Sequence, residues 1–356
     1  MNNLPYDELF CLIETLVMCH SPSGYEAEID RFLLAYLQGL HLETWQDPAG
    51  NIIVKIPARS DQAPQETIAI TAHKDEIAMM AKALLPHGRI SVRPIGGSYP
   101  WVYGEGIVDL LGDEETLSGV LSFGSRHVSH ESKQSRLQEQ TPLRWEDAWI
   151  ETKQSLATLD RAGIHPGTPI VVGKHRKKPF RMGDYIASYT LDNKASVAIL
   201  LQLAKRLQNP CRTVYLVASA KEEVGAVGAL YFSQRQRIDT LIALEICPLA
   251  AEYPIQAGME PVLLAQDAYG LYDDRLNREL QAAADHAQIG VQMTTLDRFG
   301  SDASIAMKFG HIARGACLSF PTHNTHGYEI AHLGAIQHCI DILQAYCEGV
   351  PSDFAD

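Results

Sequence analysis

Five short stretches bring imidazoles and carboxylates to places where a strand or loop meets the next element. They are Thr71-Ala72-His73-Lys74-Asp75-Glu76, Leu191-Asp192-Asn193, Lys221-Glu222-Glu223-Val224-Gly225, Leu244-Glu245 and Pro321-Thr322-His323-Asn324-Thr325-His326. Imidazole nitrogen combined with carboxylate oxygen is a donor set that suits zinc, cobalt or manganese. The adjacent acids Glu222 and Glu223 have a specific use. Neighbouring side chains of an extended chain diverge, so one can bind a cation while the other reaches its water. Each stretch alone also has a plainer reading. Asp192 would cap the helix that follows it, Glu222-Glu223 would be a solvated pair, and His323 a satisfied loop histidine. Their gathering at element ends, rather than along helix faces, favours a metal centre.

The elements that must position these groups are legible in the hydrophobic pattern. Residues 6–19 and 25–40 repeat apolar residues at helical spacing, with Ser21-Pro22-Ser23-Gly24 as the turn between them. Short β-rich runs follow at Ile52-Ile53-Val54, Thr67 to Thr71, Thr213 to Val217 and Thr240 to Ile246, with another strand-like run from Ile312 to Phe320. Lys194 to Leu207, Gly225 to Phe232 and residues 331–347 read as helices. Strands alternating with helices of this length predict an α/β sheet, and in such a sheet ligands gather outside the carboxyl ends of the strands. Residues 89–181 read differently, with turn formers between the runs Ile90 to Val92, Gly106 to Leu110, Gly119 to Phe123 and Pro169 to Val172. They predict a smaller β-rich domain inserted into the α/β domain formed by 1–88 and 182–356, with a polar loop over 126–155.

Composition narrows the function. The chain has 356 residues, 46% hydrophobic and 21% charged, which is the balance of an ordinary globular protein and excludes a disordered or fibrous chain. Lys and Arg total 30 against 43 Asp and Glu, a net charge of −13, and the basic run Lys174 to Lys178 is too short to make a nucleic-acid face. No apolar stretch approaches a membrane span, and the first residues lack the basic and apolar regions of a secretory signal. The seven cysteines form no CxxC pair and read as reduced thiols in apolar surroundings. A cytoplasmic protein without nucleic-acid or membrane partners is expected.

Taken in order, His73-x-Asp75-Glu76, Leu191-Asp192-Asn193, Glu222-Glu223-Val224-Gly225, the acid at 245 and Pro321-Thr322 with His326 resemble the M42 metallo-aminopeptidases. These are the TET aminopeptidases, including glutamyl aminopeptidases and proteins named endoglucanases. The similarity runs along nearly the whole chain and includes Pro94-Ile95-Gly96-Gly97 at the start of the insert. The resemblance implies a mixed-sheet, zinc-peptidase-like α/β catalytic domain with a barrel-like inserted domain used for dimerisation. It also implies two divalent ions per subunit, zinc or cobalt in the first place and manganese as a third choice. Asp192 would bridge the ions, Glu223 and His326 would complete one site, and His73 with Glu245 the other. Glu222 would be the general base, and Asp75 would accept a hydrogen bond from His73 and fix its tautomer. Asp302 matches a family position near the substrate. Substrates would be peptides with a free N-terminus, and the assembly a homo-oligomer built from dimers, up to a dodecamer.

The chain departs from the family pattern at Glu245, where Asp is common, at Asn193, where a second Asp is usual, and at Lys74 beside His73. Lys74 is expected to point away, since strand neighbours face opposite sides. Two alternatives stay open: another hydrolase on the same centre, such as a deacylase or carboxypeptidase, and a binding or structural protein that has lost the chemistry.

Overall fold

The computed structural model describes residues 6–59, 66–132, 135, 141–208 and 210–349. The first residues, read above for a signal, and part of the polar loop (133–134 and 136–140) lie outside the described residues.

Strands β1 (Glu43–Gln46), β2 (Ile52–Ile56) and β3 (Thr67–His73) open the main sheet. The chain then enters a barrel through β4 (Ala78–Leu85), β5 (Arg89–Ile95), β6 (Gly106–Leu111), β7 (Thr116–Ser122), β8 (Trp149–Glu151) and β9 (Pro169–Val172). It returns to the sheet with β10 (Phe180–Met182), β11 (Tyr185–Tyr189), β12 (Thr213–Ser219) and β13 (Thr240–Pro248). The last strands are β14 (Val262–Asp267), β15 (Gly270–Leu271), β16 (Gln292–Thr295), β17 (Arg314–His323) and β18 (Tyr328–His332).

The sheet runs β1-β2-β12-β3-β13-β17-β18-β11-β10, with β14–β16 branching from β17. Its centre, β12-β3-β13-β17, is parallel and its flanks are antiparallel, so the sheet is mixed. Both faces are covered, which explains why the central strands read as nearly continuous apolar runs. Ile68, Ile70, Ile242 and Leu244 pack toward the helices Asp7–Met18, Ala27–Gly39, Leu191–Arg206 and Leu333–Glu348. Ala69, Leu241 and Ala243 pack on the opposite side, with Phe232, Ala303 and Ala306.

The barrel closes in the order β4-β5-β8-β7-β6-β9 around Met79, Val92, Val108, Leu110, Leu121 and Ile150. Its first strand lies ahead of residue 89, where the sequence reading begins the insert. Nothing marks that boundary locally, because only Lys74-Asp75-Glu76-Ile77 separates β3 from β4. Residues 248–311, left without elements by the sequence pattern, contain β14–β16 and the helices Asp274–His286 and Asp302–Lys308.

Register brings the predicted stretches together. His73 pairs with Ser219, and Ala243 with Thr71, which sets Glu245 level with His73 at the carboxyl ends of the parallel strands.

Candidate metal centre

His73 ends β3 and is buried. Its Nε2 lies 3.1 Å from Asp192 Oδ1, 3.9 Å from Glu245 Oε2 and 4.0 Å from Glu222 Oε2. The other carboxylate oxygen of Asp192 turns the opposite way, with Oδ2 3.4 Å from His326 Nε2, which is itself 3.7 Å from Glu223 Oε1. One carboxylate thus stands between two imidazoles, each backed by a further acid. Ligand atoms of His73, Asp192 and Glu223 all fall within 4.8 Å of one another, a spacing that one ion can bridge.

The elements hold these groups by backbone geometry. Asp192 opens the helix Leu191–Arg206, after Thr190 in a left-handed conformation (φ 64°). His326 is likewise left-handed (φ 63°), in the turn between β17 and β18. Its Nδ1 donates to the carbonyl of Gly97 at 2.7 Å, which presents Nε2 to Asp192. Beside Gly97, Gly96 has φ +80°, and a Cβ there would meet Ile77 Cγ2 at 2.8 Å and Glu223 Oε2 at 3.2 Å. Only glycine fits that turn against Glu223.

Asp75 faces both His73 and the acidic pair. The His73 Nδ1 is 3.1 Å from the Asp75 main-chain carbonyl and 3.6 Å from its carboxylate. That carboxylate also accepts from the backbone N–H groups of Glu222 (2.9 Å) and Glu223 (3.2 Å) and from Ser23 Oγ (2.5 Å). It holds the acidic pair from below. Asp302 accepts from Ser219 Oγ at 2.6 Å.

The departures from the family pattern resolve locally. Lys74 is fully buried but leaves the centre, pairing with Glu26 and, at 2.7 Å, with Asp30. Asn193 donates its side-chain amide to the Leu244 carbonyl at 2.7 Å. His323 is exposed and joins none of these contacts. Of the cysteines, Cys247, Cys317, Cys339 and Cys347 are buried, Cys19 and Cys211 are partly buried and Cys11 is exposed.

One residue had no signal in the sequence. Glu329, buried on β18, accepts from the backbone N–H of Asp192 (3.0 Å, Oε2) and of His326 (2.9 Å, Oε1). It follows His326 by three positions, in a stretch that the sequence pattern left without an element.

The electrostatics are those of an anion-rich cavity. Burial pushes Glu222 and Glu245 well above the usual carboxylate range and Glu223 up to about 7. Burial and the neighbouring Asp192 charge push Glu329 up to about 8. Against the same burial, hydrogen bonds from His326 and His73 hold Asp192 far down, while His73 is pushed up by Asp192 and His326 by Glu223 and Asp192. The carboxylates outnumber the imidazoles, and a buried surplus of this kind is compatible with divalent cations in the same space. The donor set of nitrogen and oxygen at these spacings fits such ions.

The profile of the M42 glutamyl aminopeptidase family matches residues 50–342. The lysyl aminopeptidase of Pyrococcus furiosus is 23% identical over 353 residues, covering 96% of this chain and 98% of the relative. The glutamyl aminopeptidase of Lactococcus lactis is 24% identical, covering 86% and 85%. Among solved structures, an aminopeptidase of Desulfurococcus kamchatkensis superposes with a TM-score of 0.85 at 23% identity, covering 96% of this chain and 94% of that one. The Pyrococcus horikoshii TET1 peptidase, described as assembling into a tetrahedron or a large octahedral shell, gives 0.83 at 21%, covering 96% and 100%. With its mixed sheet, inserted barrel and family profile over most of its length, the chain belongs to the M42 peptidases, a metal-dependent family of aminopeptidase-type hydrolases.

Proposed function

We propose that the protein is a two-metal aminopeptidase that removes N-terminal residues from peptides. The observation that carries this is the single Asp192 carboxylate set between His73 at 3.1 Å and His326 at 3.4 Å, with Glu245 and Glu223 behind the respective imidazoles. In this reading His73 and Glu245 would hold one divalent ion, Glu223 and His326 the other, and Asp192 would serve both. Zinc or cobalt suits the donors first and manganese next. Bound there, the ions supply Lewis acidity and water of lowered pKa.

The chain's own groups do the rest. Glu222, whose Oε2 lies 4.0 Å from His73 Nε2 beside the proposed ions, accepts the proton of the attacking water and delivers it to the leaving amine. Asp75 fixes the backbone of Glu222 and Glu223, so base and ligand keep their divergent directions. The barrel-bearing insert would supply contacts between copies. Ile107 and Val120, paired across β6 and β7, are apolar and exposed on its surface (40% and 43%), which suits a homo-oligomer.

The test is to strip the protein with chelator and restore zinc, cobalt or manganese in turn. Hydrolysis is then followed on free and N-acetylated aminoacyl substrates. Activity that returns with metal on free amines alone is expected. Equal turnover of acetylated substrates would replace this reading with a deacylase, and no bound metal would end it.

A further inference from the structure

We infer that Glu329 is a positioning residue that sets the distance between Asp192 and His326, and through it the affinity of the Glu223/His326 half of the centre. This rests on the two-metal reading above. The two groups come from separate elements. Asp192 lies at the start of a helix and His326 in a left-handed turn, so no local chain geometry fixes their separation. Glu329 does. It sits on β18 opposite Ser188 of β11, and β11 leads within three residues to Asp192. Its Oε2 takes the Asp192 N–H and its Oε1 the His326 N–H, at 3.0 and 2.9 Å, while the residue is 1% exposed. One buried carboxylate therefore ties the backbones of two facing side chains to the same strand. The ring of His326 is held at its other edge by the Gly97 carbonyl, which leaves the clamp at its N–H as the contact that registers it against Asp192.

The chemistry requires two acceptors. Both donors are backbone N–H groups, so each needs an oxygen. A glutamine of the same size offers one oxygen and an NH2, and the NH2 would face an N–H with nothing to share. Glu329→Gln should therefore free one ligand backbone without opening a cavity.

The experiment titrates zinc into chelator-stripped protein and follows binding calorimetrically, alongside kcat and KM. Wild type is expected to bind two equivalents. Glu329→Gln should hold one within about threefold of wild type and bind the other about 10- to 100-fold more weakly, the usual cost of losing an outer partner of a ligand. Its kcat should recover with excess zinc while KM stays nearly constant. A glutamine substitution at Glu76, a buried acid paired with Lys177 and Lys194 and bonded to neither Asp192 nor His326, serves as the control: it should lower thermal stability and leave the zinc titration unchanged. If Glu329→Gln folds poorly, Glu329→Asp, with both oxygens and a shorter reach, should show an intermediate weakening. Two wild-type equivalents with identical titrations in the variants would overturn the inference alone. A wild-type protein that takes up no zinc would overturn the two-metal reading and this inference with it.

Discussion

The segment His73-Lys74-Asp75-Glu76 faces two charged regions that are built on opposite terms. His73 and Asp75 enter the candidate metal centre, where Asp192, Glu222, Glu223, Glu245, Asp302 and Glu329 leave the acids in surplus. Lys74 and Glu76 enter a second buried region in which each charge is answered. Lys74 lies between Glu26 and Asp30, and Glu76 lies 2.5 Å from Lys177 Nζ and 3.3 Å from Lys194 Nζ. Ser21 N–H adds a bond to Glu76 at 2.7 Å, and Lys177 Nζ lies 3.1 Å from His20 Nδ1. His20 in turn reaches Asp109 of the barrel strand β6 at 3.0 Å, so the balanced region also joins the barrel to the α/β layer. Both regions are buried and both are rich in titratable groups. What separates them is compensation: paired charges are a structural device, whereas a buried surplus of one sign calls for a ligand of the other.

The contrast is broken most forcefully at Glu222, the proposed base. Glu222→Gln should lower kcat by about 10³-fold or more, the upper range for removing a general base, while both metal equivalents stay bound. Loss of metal in that variant would make Glu222 a ligand and erase its distinction from Glu223.

The balanced region should respond in stability and not in chemistry. Glu76→Gln leaves Lys177 and Lys194 facing each other without an anion, and breaking a buried pair of this kind costs about 3 kcal/mol or more. Denaturant titration measures that loss, and kcat at saturating metal should remain within a few-fold of wild type. A stable variant with impaired turnover would show that the two regions are one.

The smallest effect is graded with pH. Glu76 is fully buried, and although burial opposes ionisation, Lys177 and Lys194 hold it down at about 2. Because its folded value lies below its ordinary value of 4.5, its contribution is complete above about pH 4.5 and drains away as pH falls toward 2. The full difference amounts to roughly 3 kcal/mol, most of it lost below pH 4. Thermal melts between pH 6 and 2.5 should therefore converge for wild type and Glu76→Gln. Curves that stay parallel would rule out this linkage.

Much of the architecture was legible because burial imposes pattern. The runs around β3, β12, β13 and β17 are apolar on both faces, and the helices at 7–18, 27–39 and 333–348 carry one apolar stripe each, so periodicity finds them. Strand β4 was hidden because no turn former precedes it, and the elements of residues 248–311 because their short strands carry little alternation. In the centre, His73, Asp192, Glu222, Glu223, Glu245 and His326 stood out as ligand-type residues at element ends. The direction of Lys74 was anticipated from strand alternation, but its partners Glu26 and Asp30 were not, since they lie more than forty residues away in sequence.

The amino-acid sequence by itself determined which residue types sit at the ends of the parallel strands, and hence the family and the kind of chemistry available. The tertiary structure decided how those groups are aimed. It turned the Asp75 carboxylate toward the backbone of Glu222 and Glu223, placed the Gly97 carbonyl behind His326, and recruited Glu329 to hold the backbones of Asp192 and His326 at once. Residue type follows from local sequence, but a hydrogen bond between segments far apart along the chain exists only when sheet register brings donor and acceptor to within about 3 Å.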